Sequence, residues 1–112
     1  MSAYRYNHGY LKTADRMILR AEYEVLVVTK IVFCNTGSGN RTFDLQHVPA
    51  DESPDDQHKL FNESAINSKT TQIIDSPFFM LPGDEMHALA SIDDEVTMTF
   101  YVQTYNDWLR RP

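Results

Sequence analysis

One cysteine, four glycines, five prolines and a single tryptophan in 112 residues close off several structural classes at once. Cys34 has no partner in the chain, so no internal disulfide can staple the fold, and its place in an apolar run suits a small buried hydrophobe. Glycine and proline are too sparse for a collagen-like or low-complexity chain. No stretch approaches the roughly 20 apolar residues that cross a bilayer, so no membrane partner is expected. Residues 1–10 lack the apolar core of a secretion signal, and synthesis in a cytoplasm is the expectation. Basic residues are also short: ten Lys and Arg against sixteen Asp and Glu give a formal charge of −6, which opposes attraction to a phosphate backbone. Nucleic acid is therefore not an expected partner.

What is present is the composition of an ordinary globular protein, with 42% hydrophobic and 23% charged residues and enough length for one core. The pattern is β throughout. Val25–Cys34 is β-branched and aromatic, Asn35–Asn40 breaks it, and Arg41–Val48 alternates again, which predicts a long strand, a turn and a returning strand paired as a hairpin. On the first strand, Thr29, Ile31 and Phe33 are expected on one side, and Val28, Lys30, Val32 and Cys34 on the other. Arg16–Tyr23 is helix or strand by its apolar run; its direct entry into the long β run, without a helix-ending Gly or Pro, favours strand. Pro49–Asp56 is a proline-bounded acidic loop for the surface, and Pro82-Gly83 is a turn with glycine at positive φ. Met86–Ser91 is expected to turn back through Ile92–Glu95 into Val96–Gln103, where Val96, Met98, Phe100 and Val102 form the core side. Six to eight such strands predict an all-β, antiparallel β-sandwich, immunoglobulin-like or jelly-roll, in a single domain over residues 10–105. Residues 1–9 and 106–112 are expected to be terminal arms.

The order of parts carries a resemblance. Val28-Thr-Lys-Ile-Val-Phe-Cys-Asn35, a strand ending in Val48-Pro49, Leu81-Pro-Gly-Asp84, Ala88-Leu-Ala-Ser91 and a closing amphipathic strand resemble small immunoglobulin-like β-sandwich virion proteins of tailed bacteriophages, over residues 20–105. The acidic loop 51–56 and the aromatic ends depart from that pattern. The resemblance implies a non-enzymatic structural component of a virion, as head decoration or cement protein or as tail or neck protein. It also implies contacts with other capsid or tail proteins and with copies of itself. Tyr4, Arg5, Tyr6, Tyr105, Trp108, Leu109, Arg110 and Arg111 combine the aromatic and arginine residues that dominate interfaces, which makes them the candidate partner-binding residues.

Chemistry has weaker anchors. His8, His47, His58 and His87 form no closely spaced pair, so no metal site and no cofactor is expected. Asp51, Glu52, Asp55 and Asp56 lack the alternation and glycine of an EF-hand, and Asp93-Asp94-Glu95 is ordinary turn chemistry. Cys34 with His47, or Ser91 with His87, comes without a third orienting group, and no enzyme activity is expected. The competing reading is a carbohydrate-binding module for host recognition that stacks a sugar on Phe78, Phe79 or Tyr101. Phe78 and Phe79 are adjacent in an extended segment, so only one of them can face a ligand.

Overall fold

The structure, a computed structural model, describes residues 4–110. The chain runs through β1 (Tyr4–Tyr10), β2 (Arg16–Arg20), β3 (Leu26–Asn35), β4 (Arg41–Val48), β5 (Lys59–Ile66), β6 (Thr71–Ile74), β7 (Phe78–Met80), β8 (Glu85–Ala90) and β9 (Val96–Thr104), and ends in a one-turn helix, α1 (Tyr105–Leu109). The expected sandwich is there. One sheet has the order β1-β9-β3-β6, with β7 also on β3, and the other has the order β2-β8-β4-β5.

The pairings explain the topology. All of them are antiparallel and they nest: β1 with β9, β2 with β8, β3 with β6 and β7, β4 with β5. The chain thus behaves as one long hairpin with its tip at β4–β5, rolled up so that β9 also meets β3 and β8 also meets β4. That is the jelly roll; an immunoglobulin-like order would not make the first and last strands neighbours.

Two expected pairings are corrected. β3 and β4 do not form a hairpin, because they lie in different sheets, and the same holds for β8 and β9. Each connection is an arch that crosses between the two layers. Phe33 of β3 and Phe43 of β4 nevertheless stack, at 4.0 Å with an interplanar angle of 21°. They meet across the core rather than along a backbone ladder. Asn35, fully buried, makes the first arch possible. Its Nδ2 donates to the carbonyls of Gly39 and Ile66 at 2.8 and 3.1 Å, and its Oδ1 accepts from Gly37 N–H at 3.0 Å. The two arches then tie to each other, with Thr36 N–H on the Glu95 carbonyl at 2.8 Å and Arg41 Nε on Glu95 Oε1 at 3.0 Å.

Alternation fixes the core as expected on β9, where Val96, Met98, Phe100 and Val102 are all buried. On β3 it holds only in part. A register shift between Val28 and Lys30 turns Val28 into the core with Ile31 and Phe33, and leaves Lys30, Val32 and Cys34 facing outward. Arg16–Arg20 is a strand, and Gly83 takes φ +94° in a turn closed by Asp84 N–H on the Leu81 carbonyl at 2.9 Å.

The expected arms are different in kind. Residues 4–9 belong to β1, paired along its length with β9, and residues 106–109 belong to α1; residues 1–3, 111 and 112 lie outside the described residues. Every sheet margin is irregular. β1 and β2 carry register shifts at Asn7/Gly9 and Met17/Leu19, β5 is shifted twice against β4, and β6 and β7 are one edge strand broken by Asp75-Ser76-Pro77.

Replacing Asn35 by Ala orphans one buried and two part-buried backbone groups. Urea unfolding is expected to show a loss of about 1–3 kcal/mol with an unchanged m value, and a loss no larger than that of the surface variant Thr71→Ala would refute the role given to Asn35.

Candidate partner-binding surface

The jelly roll sorts its loops into two ends. At one end the β1–β2, β3–β4, β5–β6 and β8–β9 connections are bound together by hydrogen bonds such as Thr13 N–H to Asp93 Oδ1 at 2.7 Å and Ser68 Oγ to the Gly37 carbonyl at 2.6 Å. At the other end lie the β2–β3, β4–β5 and β7–β8 connections together with the start of β1 and the helix α1, since Leu26 pairs with both Met80 and Thr104, and Tyr4 with Val102.

Several large apolar side chains meet solvent at this second end, while Met17, Leu60 and Ile73 are exposed on β2, β5 and β6. Tyr23 is 92% exposed, Leu81 58% and Leu109 54%. Behind them sits an aromatic cluster. Phe79 meets Tyr105 edge-on at 5.6 Å and Trp108 edge-on at 5.3 Å, and Tyr105 and Trp108 lie at 6.2 Å and 26°. The cluster covers the outer face of β3, where Val27, paired with Phe79 and Gln103, is fully buried although it points away from the sandwich core. Helix α1 is held in place by Thr104, whose Oγ1 accepts from Asp107 N–H at 3.2 Å, and by Tyr105 N–H on the Val25 carbonyl at 2.8 Å.

The candidate residues divide accordingly. Tyr105 and Trp108 pack on their own domain, while Leu109 and Arg110 stay exposed beside them. Tyr6, 48% exposed, stacks on Phe100 at 5.3 Å and 17° and lines a cleft of about 250 Å³ with Leu19, Tyr23, Glu24 and Leu26. Arg5 is exposed on the outer face opposite Tyr101, Tyr4 contributes the backbone pairing with Val102, and Arg111 lies outside the described residues. Pattern reasoning missed Tyr23 and Leu81 as members of this surface and weighed Phe79 apart from the terminal residues; the fold alone brings these sequence-distant residues to one end.

The polar candidates sort by sheet. Cys34, half-buried, shares the outer face of the five-stranded sheet with Thr71 and Thr97, whereas His47 is on the other sheet, so the pair is not formed. Ser91 Oγ accepts from Thr42 N–H at 3.0 Å and acts as a backbone brace. His47 Nε2 meets Asp84 Oδ2 at 2.8 Å, and Asp84 also accepts from the N–H groups of Leu81 and Ala50 at 2.9 and 3.0 Å. Burial pushes the Asp84 pKa up, but these three donors outweigh it and hold the carboxyl below its ordinary value. The final residue of the Leu-Pro-Gly-Asp turn is thus the clamp that fastens β7–β8 to the end of β4.

A second network covers the outer face of the β2-β8-β4-β5 sheet. His87 Nδ1 meets Asp15 Oδ2 at 2.6 Å and its Nε2 meets Glu85 Oε1 at 2.8 Å, while Gln46 Nε2 donates to Asp15 Oδ1 at 3.3 Å and Arg20 Nη1 reaches Glu85 Oε2 at 3.4 Å. Because the two carboxylates sit on different ring nitrogens, they flank the imidazole instead of converging on one point. Burial pulls the His87 pKa down, yet the bonds to Glu85 and Asp15 prevail, and the net shift is upward. The acidic loop 51–56 is exposed, with Glu52 on His58 at 3.1 Å and Asp56 on Lys59 at 3.2 Å.

No protein-family model and no curated protein matches the chain. Among solved structures it is similar to a chain in the "Structure of infectious bursal disease virus Gx strain", at 10% identity and a TM-score of 0.39, over 90% of this chain and 29% of that one. The chain therefore spans less than a third of that chain's length.

The flanked imidazole makes stability depend on pH. With the folded pKa above the ordinary 6.5, the contribution of His87 is complete below that value and is lost as pH rises through the folded pKa. His87→Gln is expected to abolish this alkaline loss; an imidazole titration by NMR that places His87 at or below 6.5 refutes it. Asp84 acts oppositely, its contribution being present above the unfolded carboxylate value and lost as pH falls through the lowered folded pKa.

Proposed function

We propose that this chain is a non-enzymatic structural component of a bacteriophage virion, either a head decoration or cement protein or a tail or neck protein. It docks on capsid or tail proteins through the end of the sandwich that holds α1 and the start of β1. One observation carries the reading: Tyr23, Leu81, Leu109 and the Phe79 cluster, from four separate segments, gather as exposed apolar surface at that single end. Aromatic anchors in such a setting are the side chains that contribute most to protein contacts. The resemblance noted in the sequence is to immunoglobulin-like sandwiches, whereas this strand order is a jelly roll, so it adds only that both are two-layer β scaffolds. Its motif residues are scaffold parts, with Asn35 in the arch, Asp84 in the turn clamp, and Ala88 and Ala90 in the core. The jelly roll hosts capsid domains, lectins and cupins alike, so the fold admits this role without choosing it. Mechanism here is geometric: a stiff two-layer body presents one apolar end, and repetition in a symmetric particle multiplies individually weak contacts.

A carbohydrate-binding module is the second reading, and a specific observation favours keeping it. Phe79 faces outward with Tyr105 and Trp108, and a shallow cleft of about 250 Å³ beside them is lined by Glu24, Val25, Tyr105 and Asn106. Phe78 packs against the core and the His47 ring at 5.6 Å and lines a separate, mainly apolar cleft of about 340 Å³ with Leu60, Phe61 and Ile74.

Since residues 4–9 are part of a sheet, point variants test the role better than truncation. Tyr23→Glu and Leu109→Glu are expected to fold normally by circular dichroism and to fall out of assembled particles when they replace the wild-type chain. Wild-type incorporation of both would sink the proposal, and saturable glycan binding lost in Phe79→Ala would put the carbohydrate reading in its place.

A further inference from the structure

The charge of the molecule is unevenly laid out. None of the sixteen carboxylates lies in β1, β3, β6, β7 or β9, so the five-stranded sheet is free of acidic side chains while the chain carries a formal charge of −6. Its outward face has cations instead. Arg5, Tyr101 and Lys30 form one row across β1, β9 and β3, with the Lys30 ammonium 5.9 Å from the centre of the Tyr101 ring. The next row ends on Ile73, which is 58% exposed. Carboxylates stand only around it: Glu24 just before β3, Asp75 at the break between β6 and β7, Asp107 in α1, and Glu95, which is held by Arg41.

The same chain carries the complement. In the β4–β5 connection Asp51, Glu52, Asp55 and Asp56 are all exposed, and among the described residues the one ammonium that reaches them, Lys59 on Asp56 at 3.2 Å, is shared with Asp44 at 2.9 Å. Two copies repel each other over most of their surface, and the acid-free face is where an acidic segment meets the least repulsion and a paired guanidinium and ammonium. We infer that the outward face of the five-stranded sheet is a docking surface for the acidic β4–β5 loop of a second copy of this chain. Face and loop are different patches, so the contact is heterologous and passes from copy to copy, closing as a ring or continuing as an array. The Lys30–Tyr101 row adjoins the Val27–Gln103 pair that the aromatic cluster of the apolar end covers, but the contact proposed here stands or falls on the isolated protein whatever the chain does in a particle.

The test is sedimentation of the purified chain in about 10 mM and about 1 M salt, between which the Debye length falls from about 30 Å to about 3 Å. Self-association at low salt and its loss at high salt are expected. Lys30→Glu and Ile73→Asp, each checked for folding by circular dichroism, are expected to weaken association at least about tenfold. The loop variant Asp55→Lys/Asp56→Lys is expected to do the same alone and to recover association when mixed with Lys30→Glu. A monomer at every concentration and salt overturns the inference, as does association that survives Lys30→Glu or ignores salt.

Discussion

The rest of the molecule depends on two places where the chain leaves one sheet for the other at the same end of the sandwich. Asn35 satisfies the backbone of the first crossing, and the carbonyl and carboxylate of Glu95 in the second crossing receive Thr36 and Arg41 from the first. Peptide groups at such a corner have no ladder to join, so a buried side chain must stand in for the missing strand. Once these crossings are fixed, Phe33 lies over Phe43, the alternating side of β9 closes on the core, and the remaining strands have one antiparallel partner each in the nested order.

Much of this architecture was legible in the sequence. The period of two along Val96–Val102 identifies the core residues correctly, Gln103 being buried on the outward side, and Pro82-Gly83-Asp84 announces its turn. What was not legible is which strands share a ladder. A hairpin and an arch of the same loop length both bring Phe33 opposite Phe43, so hydrophobic alternation is blind to whether backbone or side chain makes the contact. The bulge at Thr29, which moved Val28 to the core, is likewise a property of the pairing with β9 and leaves no local mark.

The candidate surface shows the same division. Residue types that favour interfaces were visible at both termini, and Leu109, Arg110 and Arg5 do face solvent. Tyr6 is a cross-strand stacking partner of Phe100, and Tyr105 and Trp108 shield Val27, because an edge strand and a short helix must cover apolar surface of their own sheet first. Tyr23 and Leu81 join the surface only through the fold, since they sit in separate loops that the nested pairing brings to one end. The acid-free sheet face could have been counted from the sequence, yet only the register states which of its residues look outward.

The irregular margins have a consequence for how such a body can be crowded. A straight, unbroken border strand offers a row of free amides and carbonyls to any other chain, and at high local concentration it seeds fibres. Here kinks at Asn7/Gly9 and Met17/Leu19, the twice-shifted register of β5 and the proline-containing gap at Asp75-Ser76-Pro77 leave no such template on any of the four borders. Such broken borders disfavour strand addition between neighbours, so crowding of these molecules works against a shared hydrogen-bonded ribbon.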